Sequence, residues 1–332
     1  MSAATSTSAG TLAPDVAPIS PETEPSGRYW LDNESFLARV MLLPAVIYIV
    51  ALVGIPLVMA ILYSLSDVTV GDQSIDFVGL QNFRDALANA TFRTALRNTF
   101  LFTIVSQIIV LVLANILAIV LTSDFYGKRL VRFLVLLPWT TPIALGVLGW
   151  LWTLDNVYSP IDFILRQVGL LGVGSPLGPD WFGTNALWLA YPDRAQFSVL
   201  LVHIWRTLPL ATVILLAGLT SIPQDLKDAA NVDGAGFFRQ LFYIRIPLLL
   251  PIMAVAVLYG IVFTFTDMTV VYILTRGGPT DSTQVLASWA FYKGVDGGNL
   301  AQGAAIALFL FPVLVGVAAL MLRLARRTET SG

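Results

Sequence analysis

The chain has 332 residues, of which 56% are apolar and 12% charged, about half the roughly 25% charge of a soluble domain. So few charges cannot clothe a water-facing surface of that size, and the mean hydropathy of +0.77 agrees; the composition is that of an integral membrane protein. Cysteine is absent and histidine occurs once, at His203, which excludes disulfide frameworks, thiolate chemistry and multi-histidine metal centres. A formal net charge of −2 gives no reason to expect a nucleic-acid partner.

Residues 1–38 are rich in Ala, Ser, Thr and Pro and too poor in apolar side chains to offset the entropy of ordering. They are expected to form a disordered cytoplasmic tail. The apolar run after Arg39 is about 25 residues long, better suited to a retained anchor than to a cleaved signal.

Six uncharged or nearly uncharged runs follow, at 40–64, 98–121, 133–154, 196–219, 248–274 and 302–322, each long enough to cross about 30 Å of hydrocarbon as a helix. Long continuous runs argue against a β-barrel, whose strands alternate over about ten residues. The expected fold is all-α, with a six-helix domain at 39–323 and a cytoplasmic tail at 324–332. With both termini inside, the inner segments hold 11 Lys and Arg residues against 7 outside, the sense expected of cytoplasmic loops. Pro138 and Pro142 predict a kink in the third run, and Gly146 and Gly149 close packing there.

The segment 220–247 between the fourth and fifth runs is longer than a turn requires. Ser221 is a candidate N-cap and Pro223 a first-turn residue for a helix through Asp228, Ala229 and Ala230 to about Val232. Gly234 supplies an elbow with positive φ. A second helix carries Phe237, Phe238, Leu241, Phe242 and Ile244, and Pro247 is expected to end it. From the residues alone this is either an interfacial bracket lying on the membrane or a docking element, with small Ala229 and Ala230 open to close approach and Asp228 placed for a partner arginine.

The spacing Asp228-Ala229-Ala230, Gly234, Ile244-Arg245-Ile246-Pro247 resembles the EAA loop of binding-protein-dependent ABC importer permeases, with Asp for Glu at 228 and Ile for Leu at 246. Phe77-Val78-Gly79-Leu80-Gln81-Asn82-Phe83 is similar to a segment of MalF-type sugar permeases. So is Leu274-Thr275-Arg276-Gly277-Gly278-Pro279, with Arg276 in place of a glycine. The resemblance covers about 40–323 and implies a non-catalytic permease subunit of type I importer fold in a prokaryotic plasma membrane. It implies a second six-helix permease as heterodimer partner, two cytoplasmic ATPases that bind ATP-Mg, and an extracytoplasmic solute-binding protein. Asp228, Ala229, Ala230, Asp233, Gly234, Ile244 and Pro247 would then couple to an ATPase. The chain has no Gly-x-x-x-x-Gly-Lys-Ser/Thr loop of its own, so it must borrow its energy. The cargo implied is a di- or oligosaccharide, with polyols or glycerol phosphodiesters as the alternative.

Polar groups inside spans are costly and tend to face an interior or a watery cavity. Arg206 and Asp267 therefore admit three readings: a structural ion pair, a contact with solute, or snorkelling to the interface. Trp150, Trp152, Trp205 and Tyr259 suit either interfacial anchoring or stacking on sugar rings, with Thr264 on the same candidate path as Tyr259 and Asp267. His203, one turn before Arg206, reads as a packing residue. The same intramembrane charges leave an ion-gradient-driven secondary transporter as the competing function; a membrane-embedded enzyme lacks a cluster of catalytic groups.

Overall fold

The computed structural model describes residues 34–72, 74–172, 174–175 and 185–329. Most of the predicted N-terminal tail lies outside the described residues; 34–38 already belong to the first helix. Among the described residues, five helices are long and apolar enough to cross a membrane: α1 (Ser35–Ser64), α3 (Ala90–Thr122), α7 (Pro192–Ser221), α9 (Phe237–Thr266) and the run Leu300–Leu320. A bent pair, α4 (Lys128–Thr140) and α5 (Ile143–Thr153), completes a sixth when counted as one span. Short helices α2 (Gln81–Ala88), α6 (Pro160–Gln167), α8 (Gln224–Val232), α10 (Thr269–Leu274) and α11 (Leu286–Phe291) join them. The last run divides into α12 (Leu300–Leu308) and α13 (Phe311–Glu329). The chain is a multi-pass membrane protein.

Two expectations are corrected. The third run is broken rather than kinked, because α4 and α5 meet at 102°. Pro142 lacks an N–H and drives Thr141 out of the helical region, to φ −78 and ψ 132, whereas Pro138 stays inside α4. The fifth run ends at Thr266, and Asp267 is extended at φ −80 and ψ 118 before α10 begins. At the other end, α13 runs on through residues 324–329 of the expected C-terminal tail.

From Leu57 onward the helices pack as one unit. Its axis is the pair α3 and α7, whose facing Ala114, Ala118, Ala211 and Leu215 are buried together with Leu249 of α9. Small residues let helix backbones approach where lipid supplies no hydrophobic drive. Gly218 is one of them, since a Cβ there would come within 2.7 Å of Leu249 and Ile252 side-chain atoms. A second cluster joins α3, α5, α7 and α10 through Phe102, Val147, Val202 and Val270, and a third joins α2, α3, α11 and α12 through Phe92, Leu286 and Ile306.

The two family-like motifs outside the loop do structural work. Asn82 is buried and its Nδ2 donates to the carbonyls of Ser64 and Ser66 at 3.0 and 2.6 Å, closing the end of α1 onto α2. Arg276 takes φ +51, the conformation that explains why glycine is usual at that position.

Gly303 of α12 and Gly294, in the π turn after α11, touch backbone to backbone, and a Cβ on Gly303 would land on the Gly294 main chain. No side-chain rotation relieves that clash. Gly303→Ala is therefore expected to cost about 1–3 kcal/mol of overpacking, read as a lowered unfolding midpoint in detergent. Gly149→Ala, with nothing within 4 Å of the new methyl, should not lower the midpoint, and the better helix propensity of Ala inside α5 should if anything raise it.

Candidate functional site

Two assemblies of polar and charged residues stand out, one within the spans and one in the loop before α9. Within the spans, Arg206 of α7 and Asp267 at the end of α9 form an ion pair, Nη1 to Oδ2 at 2.9 Å, with side chains only 15% and 8% exposed. Arg206 Nη1 makes no directed hydrogen bond, so charge rather than hydrogen-bond geometry holds the pair. Asp267 Oδ1 also accepts from the Thr269 amide at 3.0 Å, an Asx turn that leads into α10. The break in the fifth run thus coincides with its one carboxylate.

His203 lies one turn before Arg206 and joins this cluster. Its Nε2 is 2.9 Å from Thr264 Oγ1, and Thr264 spends its only hydroxyl hydrogen on the Gly260 carbonyl at 2.7 Å. Hydrogen-bond logic therefore makes His203 Nε2 the donor and leaves Nδ1 facing Asp267 Oδ2 at 3.6 Å. Gln107 of α3 reaches the same Thr264 oxygen at 3.5 Å. Its amide occupies the space where a Gly260 side chain would be.

An aromatic wall flanks the charges. The Arg206 guanidinium lies 5.3 Å from the Phe263 ring, a distance that allows cation–π attraction. Phe263 packs on Tyr259 at 4.7 Å and on Trp139 at 5.9 Å. Trp205 meets Trp150 edge-on at 5.7 Å, and Gly146 gives it room, since a Cβ there would approach the Trp205 ring to 3.2 Å. Gly149 has no such neighbour, and Trp152 is 79% exposed. At the bend between α4 and α5, a cavity of about 260 Å³ opens among Pro138, Trp139, Thr141, Ile143, Arg206 and Phe263.

Of the predicted path residues, Arg206, Thr264 and Asp267 fall in one cluster, Tyr259 joins it through Phe263, and Trp150 and Trp205 form a separate pair. His203, singled out in the sequence but read as packing, belongs to this cluster, and Gln107, Trp139 and Phe263 were not anticipated. Of those three only Gln107 carried a signal, as an amide in the middle of an apolar run.

The loop is a helix, an elbow and a second helix. Ser221 is not an N-cap: it ends α7 and its hydroxyl donates to the Gly218 carbonyl at 2.8 Å, while Pro223 takes the cap position of α8. Asp228 and Ala229 are exposed and Ala230 is buried; Asp228 accepts from the Gln224 amide at 3.0 Å. Asp233 closes α8 through its amide to the Ala229 carbonyl at 3.0 Å, and Gly234 follows at φ +67. Gln240, buried and unforeseen, donates to Asn231 Oδ1 at 2.7 Å and to the Ala235 carbonyl at 2.8 Å, riveting the second helix to the elbow.

Pro247 does not end that second helix. Helix runs from Phe237 to Thr266 through a π turn at Leu241–Arg245 that includes Ile244. A proline ring clashes with the carbonyl four residues earlier in a regular α-helix; the wider π turn just ahead of Pro247 accommodates it. The same arrangement, Val50–Gly54 ahead of Pro56, occurs in α1.

Residues 110–330 match the family described as the binding-protein-dependent transport system inner membrane component. The chain belongs to this family of importer permeases. The permease is 30% identical over 296 residues to the trehalose/maltose transport system permease protein MalF of Thermococcus litoralis, covering 89% of this chain and 95% of that one. It is likewise 30% identical over 304 residues to the sulfoquinovosyl glycerol transport system permease protein SmoG of Agrobacterium fabrum, covering 90% and 94%. Its fold is similar to a chain of a bacterial alginate ABC transporter crystallised with an alginate pentasaccharide-bound periplasmic protein, at a TM-score of 0.74 and 19% identity over 91% and 98% of the two chains. Family membership decides against the ion-gradient-driven transporter.

Removing one member of a buried ion pair strands the other, typically at 3–5 kcal/mol. Arg206→Leu and Asp267→Leu should each destabilise the permease by about that amount. The double substitution should cost far less than their sum, with a remainder of about 1 kcal/mol for the lost Asp267–Thr269 hydrogen bond. A double-mutant cycle on unfolding midpoints in detergent reads the difference.

Proposed function

We propose that the permease forms half of the translocation pathway of an ATP-driven, binding-protein-dependent importer for a neutral di- or oligosaccharide. Its partners are a second six-helix permease, two cytoplasmic ATPases that hold the ATP-Mg, and an extracytoplasmic binding protein. It sits in the plasma membrane with both termini cytoplasmic.

The observation that carries this reading is the hairpin of α8 and the first turns of α9. It is rigid, with the Gln240 bonds on the inside and Ile222 buried at its base beside Leu219 and Leu249. Its outer face is apolar and exposed, with Val232 at 87%, Phe238 at 71% and Tyr243 at 80%. An apolar face on a loop otherwise bound for water marks a contact with another protein. Asp228, Ala229, Ala230, Asp233, Gly234, Ile244 and Pro247 lie on or beside that hairpin, where an ATPase groove would receive it.

The sugar assignment rests on two supports. The MalF relative is named for trehalose and maltose, both uncharged disaccharides. In this chain, Arg206 and Asp267 cancel each other's charge, which suits an uncharged solute. Tyr259, Trp150 and Trp205 supply flat apolar surface of the kind ligand pockets use, and Thr264 completes the path.

The test is uptake by the complete transporter in proteoliposomes. Ala229→Asp should insert and assemble normally yet lower ATP-driven uptake about tenfold or more, the equivalent of 1.4 kcal/mol of lost coupling. Gly234→Val, forced into a left-handed conformation that β-branched residues avoid, should do the same, and Gly234→Asn should retain uptake. Normal uptake by Ala229→Asp would sink the coupling role.

A further inference from the structure

At the end of the bundle that carries the coupling hairpin, α3, α4 and α7 enclose a cavity of about 430 Å³, within the range of small-ligand sites. Its lining divides by chemistry. Leu121, Val135, Leu136, Val213 and Leu216 form an apolar trough, and Lys128 and Arg132 stand at its mouth, one helical turn apart on the same face of α4.

The hydroxyls in the lining are already committed: Thr122, Thr212 and Thr220 donate to carbonyls of their own helices at 2.6, 2.8 and 2.9 Å. The strong donors left for a ligand are the two cations. Lys128 is 3.2 Å from Asp124, whose side chain is fully exposed, a pairing worth little in water. Arg132 has no ion pair among the described residues. The mouth therefore carries an unmatched positive charge, at the depth where membrane helices end and headgroups begin.

We propose that this cavity binds an anionic phospholipid, its phosphate on Lys128 and Arg132 and an acyl chain along Val135, Leu136, Val213 and Leu216. A free phosphate would use the cations and leave the trough empty; a zwitterionic lipid would fill the trough but gain less from the cations. The anionic amphiphile satisfies both halves. The site is separate from the solute path and does not depend on what the permease carries.

The experiment uses the complete transporter, delipidated in mild detergent and incubated with equal amounts of phosphatidylglycerol and phosphatidylcholine of matched chains, with retained lipid counted by native mass spectrometry. Wild type should retain phosphatidylglycerol several-fold over phosphatidylcholine. Arg132→Gln should lower that retention about fivefold, the fold-change that corresponds to roughly 1 kcal/mol per basic residue near an anionic headgroup. The charge-conserving double variant Lys128→Arg/Arg132→Lys should keep it. Ala217→Trp, at an exposed position on the cavity wall, keeps both cations and should also lose phosphatidylglycerol.

Equal retention of the two lipids would overturn the proposal. So would phosphatidylglycerol retention indifferent to Ala217→Trp, which would mean general surface attraction, or displacement by excess inorganic phosphate, which would mean a free-anion site. Uptake of phosphatidylglycerol by the isolated chain but not by the complete transporter would also overturn it, assigning the cavity to a helix of the second permease.

Discussion

A charge within the hydrocarbon must be matched, and here the match is made between Arg206 on α7 and Asp267 at the break after α9. Irregular backbone at membrane depth is tolerated only where protein covers it or a cavity wets it. Two of the discontinuities in the spans meet that condition at the same place. Asp267 accepts from the Thr269 amide where α10 begins, and the bend between α4 and α5 borders the cavity that Arg206 lines. Without Asp267, α7 would present a lone cation to the interior and the turn into α10 would lose its hydrogen bond. The polar cluster and the broken helices are therefore one feature, each the condition for the other.

The same helix that ends at Asp267 begins in the coupling hairpin. From Phe237 to Thr266 it is continuous over 30 residues, about 45 Å at 1.5 Å per residue. Pro247 and Pro251 lie inside it without ending it. A displacement imposed at the elbow is thus carried along a single rod to the carboxylate that faces Arg206 and His203. In the proposed importer this gives ATPase closure a direct mechanical route to the solute path. It also explains why the elbow is built stiff: slack at Gly234 or at the Gln240 rivet would absorb the stroke before it reached the spans.

What the sequence disclosed and what it hid follow the range of the physics involved. The helical membrane fold and the family resemblance were legible because they rest on local composition and on fixed spacings, such as Asp228 to Gly234 to Pro247. Gly234 was legible because positive φ is a property of one residue. Pro247 was misread because the rule that proline ends a helix assumes α geometry, and the π turn before it is invisible in the letters. Asp267 was visible as a charge, but the break where it sits depends on Arg206, 61 positions away. Trp139 and Phe263 were hidden for a different reason: an aromatic residue in a span reads as an interfacial anchor until its neighbours are known. His203 was taken for packing because a lone histidine shows no partner in sequence, and Thr264 and Asp267 both lie on another helix.

The arrangement of the path also bears on how selectivity is divided. A conduit must bind its cargo well enough to admit it and weakly enough to release it. An arginine with no counter-ion would hold an acidic sugar by charge and resist its exit. On the proposed reading, Arg206 paired with Asp267 presents no net charge to overcome, and the Phe263 ring offers apolar surface without donors. Such a lining tolerates many neutral glycosides and commits to none. On the proposed reading, discrimination among sugars then falls to the solute-binding protein, which can bind tightly because ATP, acting through the hairpin and the α9 rod, forces the release.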